Sequence, residues 1–464
     1  MQINVNGIHL NVLNIPKLDP GFIPLAGFLR QFRQSAGVGK PIKIAVERES
    51  GQVSVFKVTI HGTKAMRHAD EALIERVLKS LLWARGGWRV MIAGDEAMAA
   101  FIKAAYAEDG SRAFDAKFMA RVYEQPFVVE SLPFNALPPQ KDAPKSIGRH
   151  LDGCRIGFDA GGSDRKVSAV IDGEAVWSEE VVWHPKLNAD PSYHYDGILE
   201  AFKSAAARMP RVDAIGVSSA GVYISNRTMV ASLFLKVSDA DFEAKVKDIY
   251  LRAAREIGDV PIEVANDGDV TALAGAMELG DTCVLGIAMG TSQAGGFVDG
   301  GGNITGWLNE LAFVPLDLNP DAMADEWSGD IGCGVKYFSQ DAVIKLAPAA
   351  GIALDAAASP ADKLKVVQTL MEQGDSRAKA IYESICSYLG HALAWYAEFY
   401  DMKHVLLMGR VMSGEGGNVI LEEARQVLAS EYPDVSQKIA LHLPDEASRR
   451  IGQSVAAASL PEII

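Results

Sequence analysis

Gly157-Phe-Asp-Ala-Gly-Gly-Ser-Asp-Arg-Lys166 is the stretch on which the reading of this chain turns. The apolar run Arg155 to Phe158 predicts a short strand, Gly161-Gly162 a tight turn, and Lys166 to Ile171 alternates back as the partner strand of a β-hairpin. The strand delivers Asp159 to the turn, whose glycines let backbone N–H groups approach phosphate oxygens and leave the carboxylate near a metal. By itself a Gly-Gly turn after a strand is no more than a hairpin, so the rest of the chain decides.

Three further segments bear on it. Gly286-Ile-Ala-Met-Gly-Thr-Ser-Gln-Ala-Gly-Gly-Phe-Val-Asp-Gly300 is a second apolar strand running into a Gly/Thr/Ser turn and returning, which puts Gly290 and Thr291 at its tip. Two such hairpins let one nucleotide be held between two lobes, each lending main-chain donors and hydroxyls to the phosphates. In Ile262-Glu-Val-Ala-Asn-Asp-Gly-Asp-Val-Thr271 a strand ends at Asn266-Asp267 and a small-residue helix, Val270 to Met277, follows. A carboxylate at that strand end, Asp267, is placed to accept a proton from an alcohol within hydrogen-bonding reach. The competing role for Asn and Asp here is helix capping, for which Asp269 is the better candidate. Finally, His404-Val-Leu-Leu-Met-Gly-Arg-Val-Met-Ser-Gly-Glu-Gly-Gly417 is a strand entering a turn at Gly409 before a helix over Val419 to Leu428, an arrangement suited to adenosine, although every α/β unit needs such a turn.

Around these motifs, strands at Ala214 to Ser218, Ile262 to Ala265, Cys283 to Ala288 and His404 to Met408 alternate with helical stretches such as Asp239 to Ile257 and Ser376 to Phe399, which predicts α/β architecture. Upstream, Leu132-Pro-Phe-Asn-Ala-Leu-Pro-Pro-Gln-Lys-Asp-Ala-Pro-Lys-Ser146 carries four prolines in a polar stretch and reads as a linker or exposed crossover. Before it, strands at Ile42 to Val46 and Val53 to Ile60 and helices at Asp70 to Trp83 and Glu96 to Ala107 predict a small α/β domain, with no helix-turn-helix pattern.

Composition narrows the function classes. The 464 residues are 48% hydrophobic and 22% charged, the profile of compact globular domains, and the length allows two or three of them. Neither a signal-peptide pattern at the N-terminus nor an apolar run of membrane-spanning length is present, so the expected location is cytoplasmic. Cys154, Cys283, Cys333 and Cys386 are scattered without a CxxC pair and read as reduced thiols. The net charge of −14 divides unevenly: residues 1 to 150 hold 20 Lys+Arg against 14 Asp+Glu (+6), and the remainder 25 against 45 (−20). The basic charges are dispersed rather than clustered on one helix face, which favours docking of the basic part on the acidic remainder over nucleic-acid binding. His184, His194 and His391 have no ligand spacing, and Trp83 and Trp88 read as packing residues.

Taken in order, these segments resemble the ROK family (repressor, open reading frame, kinase) of sugar kinases and sugar-sensing regulators, over about residues 151 to 464. The resemblance implies a two-lobed actin-like (ribonuclease H-like) α/β ATPase fold with an additional N-terminal α/β domain. Residues 1–131 would be that accessory domain, 132–150 a Pro-rich linker, 151–265 the first lobe joined by a C-terminal helix at about 445–464, and 266–444 the second lobe. The resemblance also implies an ATP- and Mg²⁺-dependent carbohydrate kinase. Asp267 would be the general base, and Asn266 and Glu310 would hold sugar hydroxyls. Asp159 would act near Mg²⁺ through water, while Gly161, Gly162, Ser163, Gly290, Thr291 and Gly409 would contact the nucleotide and its phosphates. The sequence departs from the family pattern in Trp307-Leu-Asn-Glu-Leu-Ala-Phe313, where Phe313 stands in place of the usual histidine. It departs again in Ser328-Gly-Asp-Ile-Gly-Cys-Gly334, which keeps only Cys333 of the zinc cysteines, and at Gly409-Arg410, which replaces a glycine pair. One thiolate does not make a tetrahedral zinc site, so no zinc is expected, nor a plain glucose-like hexose held in the usual way. The partner is then a small sugar or sugar derivative, with no membrane, and the N-terminal domain either covers the cleft or makes a homodimer contact. The alternative is a non-catalytic sugar- or nucleotide-sensing regulator or pseudokinase of the same family.

Overall fold

The computed structural model describes residues 2–142, 147–443 and 448–463. The chain divides into two compact units, one of Met1–Ala143, Ile287–Gly295 and Leu308–Leu443, the other of Pro144–Gly286, Gly296–Trp307 and Pro444–Ile464.

The second of these units is organised by a five-stranded sheet in the order Ile262–Asn266, Ala214–Ser219, Cys154–Ala160, Asp164–Ile171, Glu174–Val182. The first three run parallel and the last three form an antiparallel meander, so the predicted hairpin lies in mid-sheet. Alternation along Cys154–Ala160 divides the work. Ile156 and Phe158 enter a buried cluster with Ile198 and Phe202 of helix Pro191–Ala206 and with Ile249 and Tyr250 of helix Ile249–Arg255. Gly157 points to the opposite side, where a Cβ would collide with the carbonyl of Ser454, so glycine lets the C-terminal helix Ser448–Ala458 lie directly on the sheet. Of the C-terminal helix expected at about 445–464, residues 445–447 and 464 lie outside the described residues. So do residues 143–146 of the Pro-rich stretch.

The helix predicted over Asp239 to Ile257 is interrupted. A short turn Asp239–Asp241 passes into a π-helical segment Phe242–Val246, and an α-helix resumes only at Ile249–Arg255. The N–H of Lys247 bonds back to Phe242, while its carbonyl accepts the N–H of Thr228 on strand Arg227–Val230, which takes that carbonyl out of the helical ladder.

In the other unit, the N-terminal sheet runs Val53–Ile60, Lys40–Glu47, Arg89–Ala93, Val128–Ser131, with only the last pair parallel. Helix Arg67–Arg85 contributes Leu73, Ile74, Val77, Leu78 and Trp83 to the core. Beyond the sheet the Pro-rich stretch still packs: Leu132 and Leu137 lie against Ala45, Val53 and Met91, and Lys141 exchanges two backbone bonds with Val53. Helix Ser376–Tyr396 is almost wholly buried and pairs with Glu415–Glu431. Helix Leu25–Ala36 also packs against Ser376–Tyr396, and two elements of this region, the hairpin Gln2–Asn11 and Leu25–Ala36, have no counterpart in the sequence reading. Strands Gln293–Val298, Val284–Met289, His404–Met408 and Ala440–His442 are ordered in a further sheet, whose first two strands are the second predicted hairpin and fall partly in each unit.

Candidate active site

Parallel register sets Asp159 beside Ser218 and Ser219 beside Asn266. The carboxyl ends of three adjacent strands thus present Asp159, Ser218-Ser219 and Asn266-Asp267 along one sheet edge, the position at which open α/β sheets bind ligands. Ser218 Oγ donates to Asp159 Oδ1 at 2.9 Å. Burial pushes the half-buried Asp159 carboxyl up to about 6, against the opposing pull of the Ser218 hydrogen bond, and the negative charge of Asp267 adds to the rise. Ser218 was not singled out in the sequence. Only the register identifies it, since nothing in Ala-Ile-Gly-Val-Ser-Ser distinguishes its second-last position from a core strand end.

The turn beyond Asp159 is held from outside. The indole N–H of buried Trp183 donates to the Gly161 carbonyl at 2.8 Å, and its backbone N–H donates to Ser163 O at 3.1 Å. Among the described residues, no acceptor takes the backbone N–H groups of Gly161, Gly162 or Ser163. Three adjacent uncommitted N–H groups at a glycine turn beside a carboxylate have the chemistry to hold a phosphate–magnesium group.

Helix Asp267–Leu279 starts earlier than predicted, and its cap is Asn266 rather than Asp269. Asn266 Oδ1 accepts the Gly268 N–H at 2.7 Å and its Nδ2 donates to Gly221 O at 2.7 Å, leaving one amide hydrogen. Asp269 is turned to a different task, accepting the N–H of Phe297 at 3.0 Å. Asp267 Oδ1 takes the Gly268 N–H at 3.0 Å, and no other group donates to this carboxylate through its side chain among the described residues. Burial raises its pKa, the Gly268 and own-residue N–H groups pull it down, and the charge of Lys186 lowers it further. A half-buried carboxylate with a free oxygen and a raised pKa has the attributes of a general base.

The remaining expected residues belong to the other unit. Gly290 donates to Ser292 O and accepts from Gln340 N, both at 2.9 Å; an added Cβ would meet nothing nearer than 3.9 Å, and Thr291 is exposed. Gly409 has φ +98°, and a Cβ there would strike the Met289 carbonyl, so this position requires glycine. Following it, Arg410, Ser413 and Gly414 line one side of an open groove of about 510 Å³, with Lys365, Gln368 and Glu372 of helix Pro360–Glu372 on the other.

Glu310 is half-buried and placed by the end of helix Arg67–Arg85: its N–H donates to Trp83 O, and that of Asn309 to Ala84 O, both at 3.0 Å. Phe313, 8% exposed, stacks on Trp83 with ring centroids 4.2 Å apart. Trp83 is fully buried and donates to Asp115 at 2.7 Å. Next to these rings the Cys333 loop is tied down by Asp330, which pairs with Arg76 at 2.8 Å, Arg112 at 2.8 Å and Lys79 at 3.1 Å. Burial alone would raise the Asp330 pKa; the three cations override it and hold the carboxyl far below the usual range. The Cys333 thiol, pushed up to about 12 by burial, donates to Asp330 at 3.7 Å. Among the described residues no group of three or more His, Cys, Asp or Glu is placed to hold a metal, and no helix is long and apolar enough to cross a membrane. His194 and His391 are buried and bonded to backbone carbonyls.

The ROK family model matches residues 155–453, well over half of the chain, and the protein belongs to that family. A ROK family transcriptional regulator, a homolog of the E. coli MLC protein, superposes with a TM-score of 0.50 at 18% identity, covering 67% of this chain and 79% of that one. This chain has the actin-like α/β ATPase fold of the family. A ROK hexokinase from Thermus thermophilus aligns at 21% identity and TM-score 0.49, covering 66% of this chain and 97% of its own. A ROK family glucokinase from Streptomyces griseus, in complex with glucose and AMPPNP, aligns at 19% and 0.47, covering 66% and 98%. Comparison with curated proteins finds no match. The matched structures thus include both sugar kinases and a regulator.

Proposed function

We propose that this protein is an ATP- and Mg²⁺-dependent carbohydrate kinase that phosphorylates a hydroxyl of a sugar or sugar derivative, with Asp267 as general base. The observation that carries this reading is the pairing, on one sheet edge, of a carboxylate with an uncommitted oxygen and raised pKa and a glycine turn with three uncommitted N–H groups. Asp267 accepts the proton of the sugar hydroxyl as that oxygen bonds to the γ-phosphorus; the bond from the γ-phosphorus to the β-bridging oxygen breaks and ADP leaves. Gly161, Gly162 and Ser163 donate to phosphate oxygens, and Asp159 would hold Mg²⁺ through water, a cation that would supply neutralising charge to the phosphates. Gly290 and Thr291 serve the phosphates, the groove beside Gly409 and Arg410 takes the nucleoside, and Asn266 and Glu310 hold sugar hydroxyls. Phe313 offers an apolar ring instead of a polar contact, which argues for an acceptor other than a plain hexose.

A second reading, a sugar- or nucleotide-sensing regulator without catalysis, draws on the same Phe313 and on the regulator among the matched structures. A pure sensor has no need of a base with a free oxygen, and this favours catalysis. The test is ATP consumption against hexoses, amino sugars, sugar acids and polyols: one or more stimulates turnover in a kinase, whereas a sensor binds a sugar calorimetrically with no turnover.

A further inference from the structure

Beyond the turn, the chain leaves strand Glu174–Val182 through Trp183 and folds back over the glycine loop in the short turn Pro185–Leu187. Trp183 fixes this return by its two hydrogen bonds to Gly161 and Ser163, so Lys186 is delivered to the loop by geometry rather than by chance placement of a long side chain. A Cβ built on Gly162 would lie 3.0 Å from Lys186 Cε and 3.1 Å from its Nζ. The ammonium therefore lies beside Gly162, the middle residue of the uncommitted turn, and glycine at 162 is what leaves it room. The same ammonium is felt by Asp267 as a stabilising positive charge. Lys186 makes no ion pair of its own among the described residues, in contrast to Lys166, which pairs with Asp164 at 3.3 Å. Its free charge at a loop of donors is the electrostatic environment a polyphosphate needs.

We propose that Lys186 completes the phosphate cradle, contacting the γ-phosphoryl group of a nucleoside triphosphate and stabilising the charge on its oxygens during transfer. This rests on the kinase reading for the transfer step, but the binding contact stands apart from it. Lysine suits the role because it acts as a mobile point charge able to follow the phosphoryl group, and it leaves the proton of the acceptor hydroxyl to Asp267. No residue of the sequence reading filled this position, since Lys186 lies outside every glycine motif.

The test compares the natural protein with Lys186→Met and Lys186→Arg in two measurements: calorimetric binding of Mg²⁺–AMPPNP and Mg²⁺–ADP, and ATP turnover against the acceptor panel. The expected result is a tenfold or greater loss of AMPPNP affinity in Lys186→Met with ADP affinity changed less than twofold, partial recovery in Lys186→Arg, and an unchanged melting temperature because the side chain is exposed. Equal AMPPNP affinity in all three proteins overturns the assignment, and an equal loss for AMPPNP and ADP overturns the γ contact. Absence of acceptor-stimulated turnover in the natural protein, with the AMPPNP effect intact, contradicts the kinase reading and leaves the Lys186 contact supported. A natural protein that binds neither nucleotide overturns both.

Discussion

Asp159, Gly161, Gly162, Asn266 and Asp267 are placed by strand register, a glycine turn and a helix cap, all within one sheet and the helix that leaves it. Glu310, Phe313 and the Cys333 loop are placed by the N-terminal domain, through the carbonyls of Trp83 and Ala84, the Trp83 ring and the cations Arg76, Lys79 and Arg112. The first region is local, and backbone elements place its two carboxylates and its turn N–H groups. The second is assembled from segments far apart in sequence, through ring stacking, ion pairs and backbone hydrogen bonds. A site part placed within one sheet depends on few distant residues, whereas one assembled from several segments of a unit changes with each of them.

That contrast can be broken most forcefully at Asp330. Asp330→Ala leaves three buried cations against Glu75 and Asp115 alone, and the expected loss is about 3 to 5 kcal/mol of unfolding free energy, read from urea denaturation. A loss under about 1 kcal/mol would mean the cluster does not hold the loop. Phe313→Ala opens the stack on Trp83 and is expected to cost about 3 kcal/mol. If Phe313 shapes only specificity, stability stays put and acceptor KM alone moves.

In the backbone-built region the sign reverses. The raised Asp159 pKa means that folding favours the protonated form, so its contribution to stability is fully present below its unfolded pKa near 4 and is lost as pH rises through about 6. Asp159→Asn is therefore expected to stabilise the nucleotide-free protein by on the order of 2 kcal/mol at pH 7.5 and by nothing near pH 3.5, while weakening Mg²⁺–ATP binding. Equal effects at both pH values would contradict it. At the bottom of the scale stands Lys17→Ala, which removes the exposed Lys17–Glu383 pair joining the N-terminal segment to helix Ser376–Tyr396. Melting should register a change within about 0.5 kcal/mol, because a surface ion pair is screened and mobile. A larger change would shift weight from the buried cluster to the surface.

The two regions also differ in how much of them the sequence revealed. Asp159 with its glycine turn and Asn266-Asp267 at a strand end were legible because each motif is contiguous and its geometry follows from strand, turn and helix rules. Ser218 was not, because it depends on which strands become neighbours, and Lys186 was not, because it reaches the loop only through the Trp183 return. The cap passed from Asp269 to Asn266 because Asp269 is drawn to the Phe297 N–H, a contact set by tertiary packing. The break at Lys247 is of the same kind. For the N-terminal domain, composition signalled a basic part suited to an acidic partner, yet gave no means of seeing that its buried cations would converge on Asp330 beside the one remaining cysteine of the loop.

The kinase proposal rests on Asp267 as the group that takes the proton of an acceptor hydroxyl. Its most direct test is acceptor-stimulated ATP turnover in the natural protein and in Asp267→Asn, with Mg²⁺–AMPPNP affinity measured on both. Asp267→Asn is expected to lower kcat by about 10² to 10⁴ with nucleotide affinity retained; stimulated turnover that survives the substitution rules Asp267 out as the base.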